Sequence, residues 1–185
     1  MLYENLEEVK DWLTSLDGPG VLVLGQPLLK TDTTETLTDK IYSRFDKDLA
    51  DFGQYAELRE SILCCSHSVV VLTGDVHFAR VARQLPDTNG ITKFAEVISS
   101  PMSLVPGLLG GTENNNCEAA LPLDSHPIES MDPFRGQKPR NHFVTVQFSS
   151  LVDDKVRMKV CYWPILRFDQ DPAPEPLGNY EFTLA

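Results

Sequence analysis

Asp75 and His77 stand two residues apart at the end of an apolar run, Ser68-Val69-Val70-Val71-Leu72-Thr73-Gly74-Asp75-Val76-His77. A carboxylate oxygen and an imidazole nitrogen form a donor pair that divalent transition metals accept. In extended backbone, residues two apart face the same side, so both donors can reach one small volume while Val76 points away. Residues 69–72 have the β-branched character of a strand buried inside an α/β sheet. Gly74 is expected to turn the backbone at the strand's end without a Cβ penalty. Open α/β sheets bind ligands at the carboxyl ends of their strands. A lone Asp-x-His is also the ordinary pattern of a turn aspartate beside a hydrogen-bonded histidine; strand, glycine and pair together point toward a metal.

Arg80 lies three residues beyond His77. Its guanidinium matches phosphate bidentately, which makes it a candidate substrate-phosphate ligand, against the competing reading of a surface arginine in a first helical turn. Phe78, Val81, Ala82 and Leu85 are spaced for a helix over 78–85, stopped by Pro86.

Other elements must position these groups. Leu2, Leu6, Val9, Trp12, Leu13 and Leu16 predict an amphipathic first helix ending near Asp17-Gly18-Pro19. Residues 21–24 read as a strand, 25–33 as a polar connection, and 34–44 as a short helix or ordered loop. A helix over 50–64, with Tyr55, Leu58, Ile62 and Leu63 inward, feeds the strand that delivers Asp75. Residues 92–99 form a second buried strand, broken at Ser100-Pro101. Residues 102–140, rich in Pro, Gly and Asn, read as a long excursion loop, of the kind that serves as a lid or binding loop or simply covers a sheet edge. Beyond it, alternation over 143–149 and 156–163 around Val152-Asp153-Asp154-Lys155 predicts an antiparallel hairpin, with a last edge strand over 180–184.

A second Asp-x-His, Asp124-Ser125-His126, follows a proline-broken run too short for a central strand and reads as a turn. His67 precedes the metal-delivering strand at its far end, and His142 opens a later one as a packed or edge histidine. Cys64, Cys65, Cys117 and Cys161 lack zinc-finger spacing, and Cys64 and Cys161 are expected to be buried thiols.

With 185 residues, the chain fits a single α/β domain over 1–185. A net charge of −11 disfavours nucleic acid and anionic membranes as partners, while bound cations would still permit a small phosphate ester. No stretch is long and apolar enough to span a bilayer, and Met1-Leu2-Tyr3-Glu4-Asn5 does not open a secretory signal, which slightly favours the cytoplasm. A homo-oligomer is compatible with the sequence. Serine hydrolase chemistry lacks its Gly-x-Ser-x-Gly elbow.

Residues 70–80, Val-Val-Leu-Thr-Gly-Asp-Val-His-Phe-Ala-Arg, followed by Ala95-Glu96-Val97-Ile98-Ser99-Ser100-Pro101, resemble the last metal-binding motif and next strand of the PhoD-like alkaline phosphatases, a branch of the calcineurin-like metallophosphoesterase superfamily. Tyr55-Ala56-Glu57-Leu58-Arg59, residues 21–28 and Asn141-His142-Phe143 extend the resemblance more loosely. The family's earlier motifs, a strand-end Asp or Cys, a Gly-Asp pair and an Asn-bearing loop, have no counterpart here, so the chain looks like the C-terminal half of a metallophosphatase. The resemblance implies a layered α/β sandwich with a β-rich hairpin and hydrolysis of a phosphate ester. Asp75 and His77 would be ligands of a metal pair (Fe, Zn, Mn or Ca), with metals about 3.5–4 Å apart that polarise the phosphoryl group and activate water. The alternative is a catalytically silent binding or assembly module that keeps the sheet without a complete metal set.

Overall fold

A computed structural model describes residues 3–29, 49, 52–74, 79–99, 127–136, 141–165 and 175–185. The fold of the described residues is mixed α/β, with eight strands in two sheets and two helices beside them. Helix α1 spans Tyr3–Ser15 and strand β1 Gly20–Leu24. Helix α2 (Tyr55–Leu63) is followed by β2 (Val69–Thr73), β3 (Arg80–Gln84), β4 (Phe94–Ile98) and β5 (Ile128–Met131). Strands β6 (His142–Ser150), β7 (Val156–Pro164) and β8 (Gly178–Leu184) complete the order.

The larger sheet runs β1-β2-β4-β3-β5. Strands β1, β2 and β4 are parallel, whereas β3 is antiparallel to both β4 and β5. Period-two alternation divides it between two cores. Val69 and Val71 of β2 and Phe94 of β4 face the helices, joining Leu6 and Leu13 of α1 and Leu58, Ile62 and Leu63 of α2. Val70, Ala95 and Val97 face the antiparallel β6-β7-β8 sheet, meeting Met158, Val160, Tyr162, Phe182 and Leu184. Three layers result: helices, five strands, three strands.

The sheets are also stitched at the opposite end of β2. The Ser68 amide donates to the Ala185 carbonyl (2.7 Å), the Ala185 amide to Ser68 Oγ (2.9 Å), and the Thr92 amide to the Thr183 carbonyl (2.8 Å). In the β6–β7 hairpin, the Leu151 amide donates to the Lys155 carbonyl (2.7 Å), and Asp153 and Asp154 in the tight turn beyond it both take left-handed backbone (φ 61° and 56°).

Five expectations are corrected. Residues 80–84 are a strand: Val81 packs into one core and Ala82 into the other, so an apolar pattern that mimics helical spacing serves two faces of a sheet. The excursion over 102–140 contains β5, whose polar Glu129 and Ser130 hid it, paired along the edge of β3. Cys64 is exposed at the C-cap of α2, while Cys161 is buried as expected. The second helix begins at Tyr55 rather than 50, and Leu28 and Leu29 in the connection read as polar are buried. Residues 30–33, 34–44, Asp124, His126 and Cys117 lie outside the described residues.

Candidate functional site

The parallel strands end level with one another. Leu24 pairs with Thr73 and Thr73 with Ile98, so β1, β2 and β4 stop on one rim. Arg80, the first residue of β3, pairs with Ile98 and so enters from the same rim. Since β4 lies between β2 and β3, the segment joining Gly74 to Ala79 links two strands that are not neighbours, at this end of the sheet. Asp75 and His77 belong to that segment and lie outside the described residues; the structure fixes its two anchors. Gly74 keeps its backbone out of the left-handed region, so the exit from β2 does not depend on glycine's positive φ.

A cleft of about 260 Å³ opens beside Gly74, between the two sheets. Val23, Leu72, Val97, Val144 and Val146 form its walls, and Thr73, Gly74 and Ser99 its lip. It is open on the side of β1, where Val23 is 73% exposed.

Arg80 stands on the helix-facing side of the sheet, 0% exposed, as is Glu96. Its Nε and Nη2 both donate to Glu96 Oε2 (3.1 and 2.5 Å), and Nη2 also donates to the Leu29 carbonyl (2.7 Å). Glu96 Oε1 accepts the Leu28 and Leu29 amides (2.7 and 3.1 Å), and the Tyr55 hydroxyl donates to the Leu28 carbonyl (2.7 Å). The carboxylate is thus fully hydrogen-bonded, the condition for burying a charge. Arg80 is therefore neither in a helix nor at the surface, and its Nε–Nη2 edge is turned onto Glu96. Glu96, a buried acid inside an apolar strand, is a residue that sequence reasoning missed; its position among Phe94, Ala95, Val97 and Ile98 was the available signal.

Tyr162, on β7, reaches the rim from the other side. Its hydroxyl is 2.8 Å from the Ile98 carbonyl and 3.0 Å from that of Arg80, and burial pushes the phenol's pKa well above its ordinary value. His142 is buried between Phe134 (ring centroids 5.2 Å) and Tyr162 (5.3 Å), which makes it a packed histidine. His67 lies at the opposite end of β2, before Val69.

Among the described residues, no group of three or more His, Cys, Asp or Glu side chains converges as a metal site. An Asp oxygen with a His nitrogen suits Fe, Zn or Mn in donor chemistry, and the pair supplies two of the four or more ligands such ions take. The buried Thr73 hydroxyl, two residues before Asp75, has no hydrogen-bond partner among the described residues and leaves a polar atom at the rim. No protein-family model, curated protein or solved structure matches this chain.

Proposed function

We propose that this chain carries part of the site of a metal-dependent phosphoric ester hydrolase, with Asp75 and His77 as metal ligands. One observation carries the proposal: three parallel strands end level on a single rim, and the segment bearing both donors springs from the central one, beside an open cleft. That is where α/β sheets hold their ligands. The layering of helices, a five-stranded sheet and a three-stranded sheet is compatible with part of a metallophosphoesterase-type sandwich.

A bound metal pair would polarise the phosphoryl oxygens and lower the pKa of the attacking water. The contribution of this chain is to hold one carboxylate and one neutral imidazole at the rim, the second imidazole nitrogen needing a hydrogen-bond acceptor to fix its tautomer. The apolar walls of the cleft would take the organic part of the ester while excluding water. Arg80, held through Nε and Nη2 by Glu96 and the Leu29 carbonyl, supports the rim in this scheme, and among the described residues its guanidinium is the cationic group nearest the segment of Asp75 and His77 for a substrate phosphate.

Metal analysis of the purified chain, with assays of a chromogenic phosphomonoester and diester under added Mn²⁺, Zn²⁺, or iron plus Ca²⁺, tests the proposal. Bound metal with turnover lost in His77→Ala is the expected result. A wild-type chain that takes up no metal and turns over neither ester overturns it and leaves the silent binding module.

A further inference from the structure

One side of the two-sheet sandwich is built unlike the other. Among the described residues, β1 pairs only with β2 and β6 only with β7, so each sheet has an open edge on this side. The two edges lie over one another, since Val23 of β1 and Val144 and Val146 of β6 line the same cleft. Apolar side chains are left in solvent there: Val21 is 42% exposed, Val23 73% and Phe148 41%. Neither the five residues of β1 nor the nine of β6 include Asp, Glu, Lys or Arg. Free sheet edges normally carry such charges, which discourage pairing with another chain. The far edges follow that rule: β5 holds Glu129, bonded to Arg83, and β8 holds Glu181, 4.0 Å from Arg157.

We propose that this side is an interface between two copies of the chain, with β1 of one copy paired antiparallel to β1 of the other about Leu22. Register selects a second copy as the occupant. A two-fold axis normal to the sheet at Leu22 sets Val21 opposite the partner's Val23, and Val23 opposite the partner's Val21, on the face toward the smaller sheet. Each exposed valine then covers the other, while Leu22 and Leu24 stay packed on the helix side. Strand β6 has the same symmetry about Val146, which sets Val144 opposite Phe148 and Thr145 opposite Gln147. Each chain carries a net charge of −11, and strands without carboxylates keep that repulsion out of the contact itself. The second copy also supplies the wall that the cleft lacks beside β1, and its mouth at Thr73, Gly74 and Ser99 stays free. None of this depends on the metal reading.

The test is sedimentation velocity over about 1–100 μM, beside thermal melts, of wild type, Val23→Lys, Val21→Lys and Leu85→Lys. Leu85 is 46% exposed just past β3, three strands from β1, and controls for the added charge alone. Wild type and Leu85→Lys are expected to sediment as dimers. An ammonium group set into the apolar contact should weaken the dimer Kd at least about tenfold in both valine variants. Val23 and Val21 are exposed enough for both variants to fold, and should one of them melt early, the other decides. Wild type that stays monomeric across the range overturns the inference, as does a dimer untouched by lysine at either valine. Species larger than a dimer overturn it too, because a two-fold contact closes on itself.

Discussion

The Tyr162 hydroxyl donates to the carbonyl of Ile98 at 2.8 Å, so a residue of the three-stranded sheet caps the last turn of pairing in the five-stranded one. It is the polar contact that joins the sheets where β4 ends and β3 begins, since the same oxygen lies 3.0 Å from the Arg80 carbonyl. Tyr162→Phe keeps the ring packing against Phe134 and His142 and removes the one proton that the Ile98 and Arg80 carbonyls share. A loss of about 1–2 kcal/mol is expected, read from the urea midpoint at constant m-value.

Alkaline pH should act on the same group. Burial, the leading cause, raises the folded pKa of Tyr162, while the unfolded chain ionises near the ordinary value of about 10. Above that pH the unfolded state binds fewer protons than the folded one, so unfolding is favoured. The stabilisation is complete below pH 10 or so and is lost as pH rises from there toward the folded value. Urea midpoints measured from pH 8 to 11 should be flat and then fall, and the fall should be shallower in Tyr162→Phe by about 1.4 kcal/mol per pH unit at its steepest.

Gly178 opens β8 against the turn at residues 132–136. A Cβ there would overlap the Pro133 carbonyl oxygen and lie 3.0 Å from its carbon, both backbone atoms. Gly178→Ala is expected to cost about 3 kcal/mol or more, the upper end of overpacking. At Gly20 the obstacles are side-chain atoms, Leu16 Cδ1 and Trp12 Cζ2 at 2.9 Å, which can shift. Thermal melts of the two alanine variants should therefore rank Gly178→Ala well below Gly20→Ala.

Arg80→Met leaves an ionised Glu96 buried without its cation and is expected to cost about 3–5 kcal/mol. Adding Glu96→Gln removes the orphaned charge while keeping an oxygen for the Leu28 and Leu29 amides. The double variant should be more stable than Arg80→Met alone. A double-mutant cycle in urea checks this, and strict additivity would show that the two side chains are not coupled.

The β6–β7 turn offers a stabilising change. Asp153 and Asp154 both hold positive φ, a conformation that costs an L-residue about 1–2 kcal/mol and that glycine adopts freely. Asp153→Asn with Asp154→Gly places there two residues that tolerate positive φ and removes two adjacent like charges. A gain of about 1 kcal/mol is expected, with the melting temperature rising by a few degrees.

These residues also show what a sequence discloses. Val69–Thr73 and the hairpin of Phe143 and Trp163 were legible because β-branched runs and period-two alternation are local signals. β3 was misread because Phe78, Val81, Ala82 and Leu85 satisfy helical spacing, and only the neighbouring strands reveal that Val81 and Ala82 belong to opposite faces. Arg80 and Glu96 are sixteen positions apart, and nothing local says that a cation and an anion will neutralise each other inside the protein. At the candidate site, the strand end and the rim were readable from Val69 through Gly74, whereas the network beneath them is purely tertiary.

The seam between Ser68 and Ala185 has a bearing on synthesis. Before Thr183 and Ala185 arrive, the amides of Thr92 and Ser68 lack their acceptors, and Val160 and Met158 lack the far wall formed by Phe182 and Leu184. On the ribosome, the helices and parallel strands emerge well ahead of that closing strand. The face of those strands formed by Val70, Ala95 and Val97 stays partly uncovered until Phe182 and Leu184 have emerged, so burial of this core waits for β8.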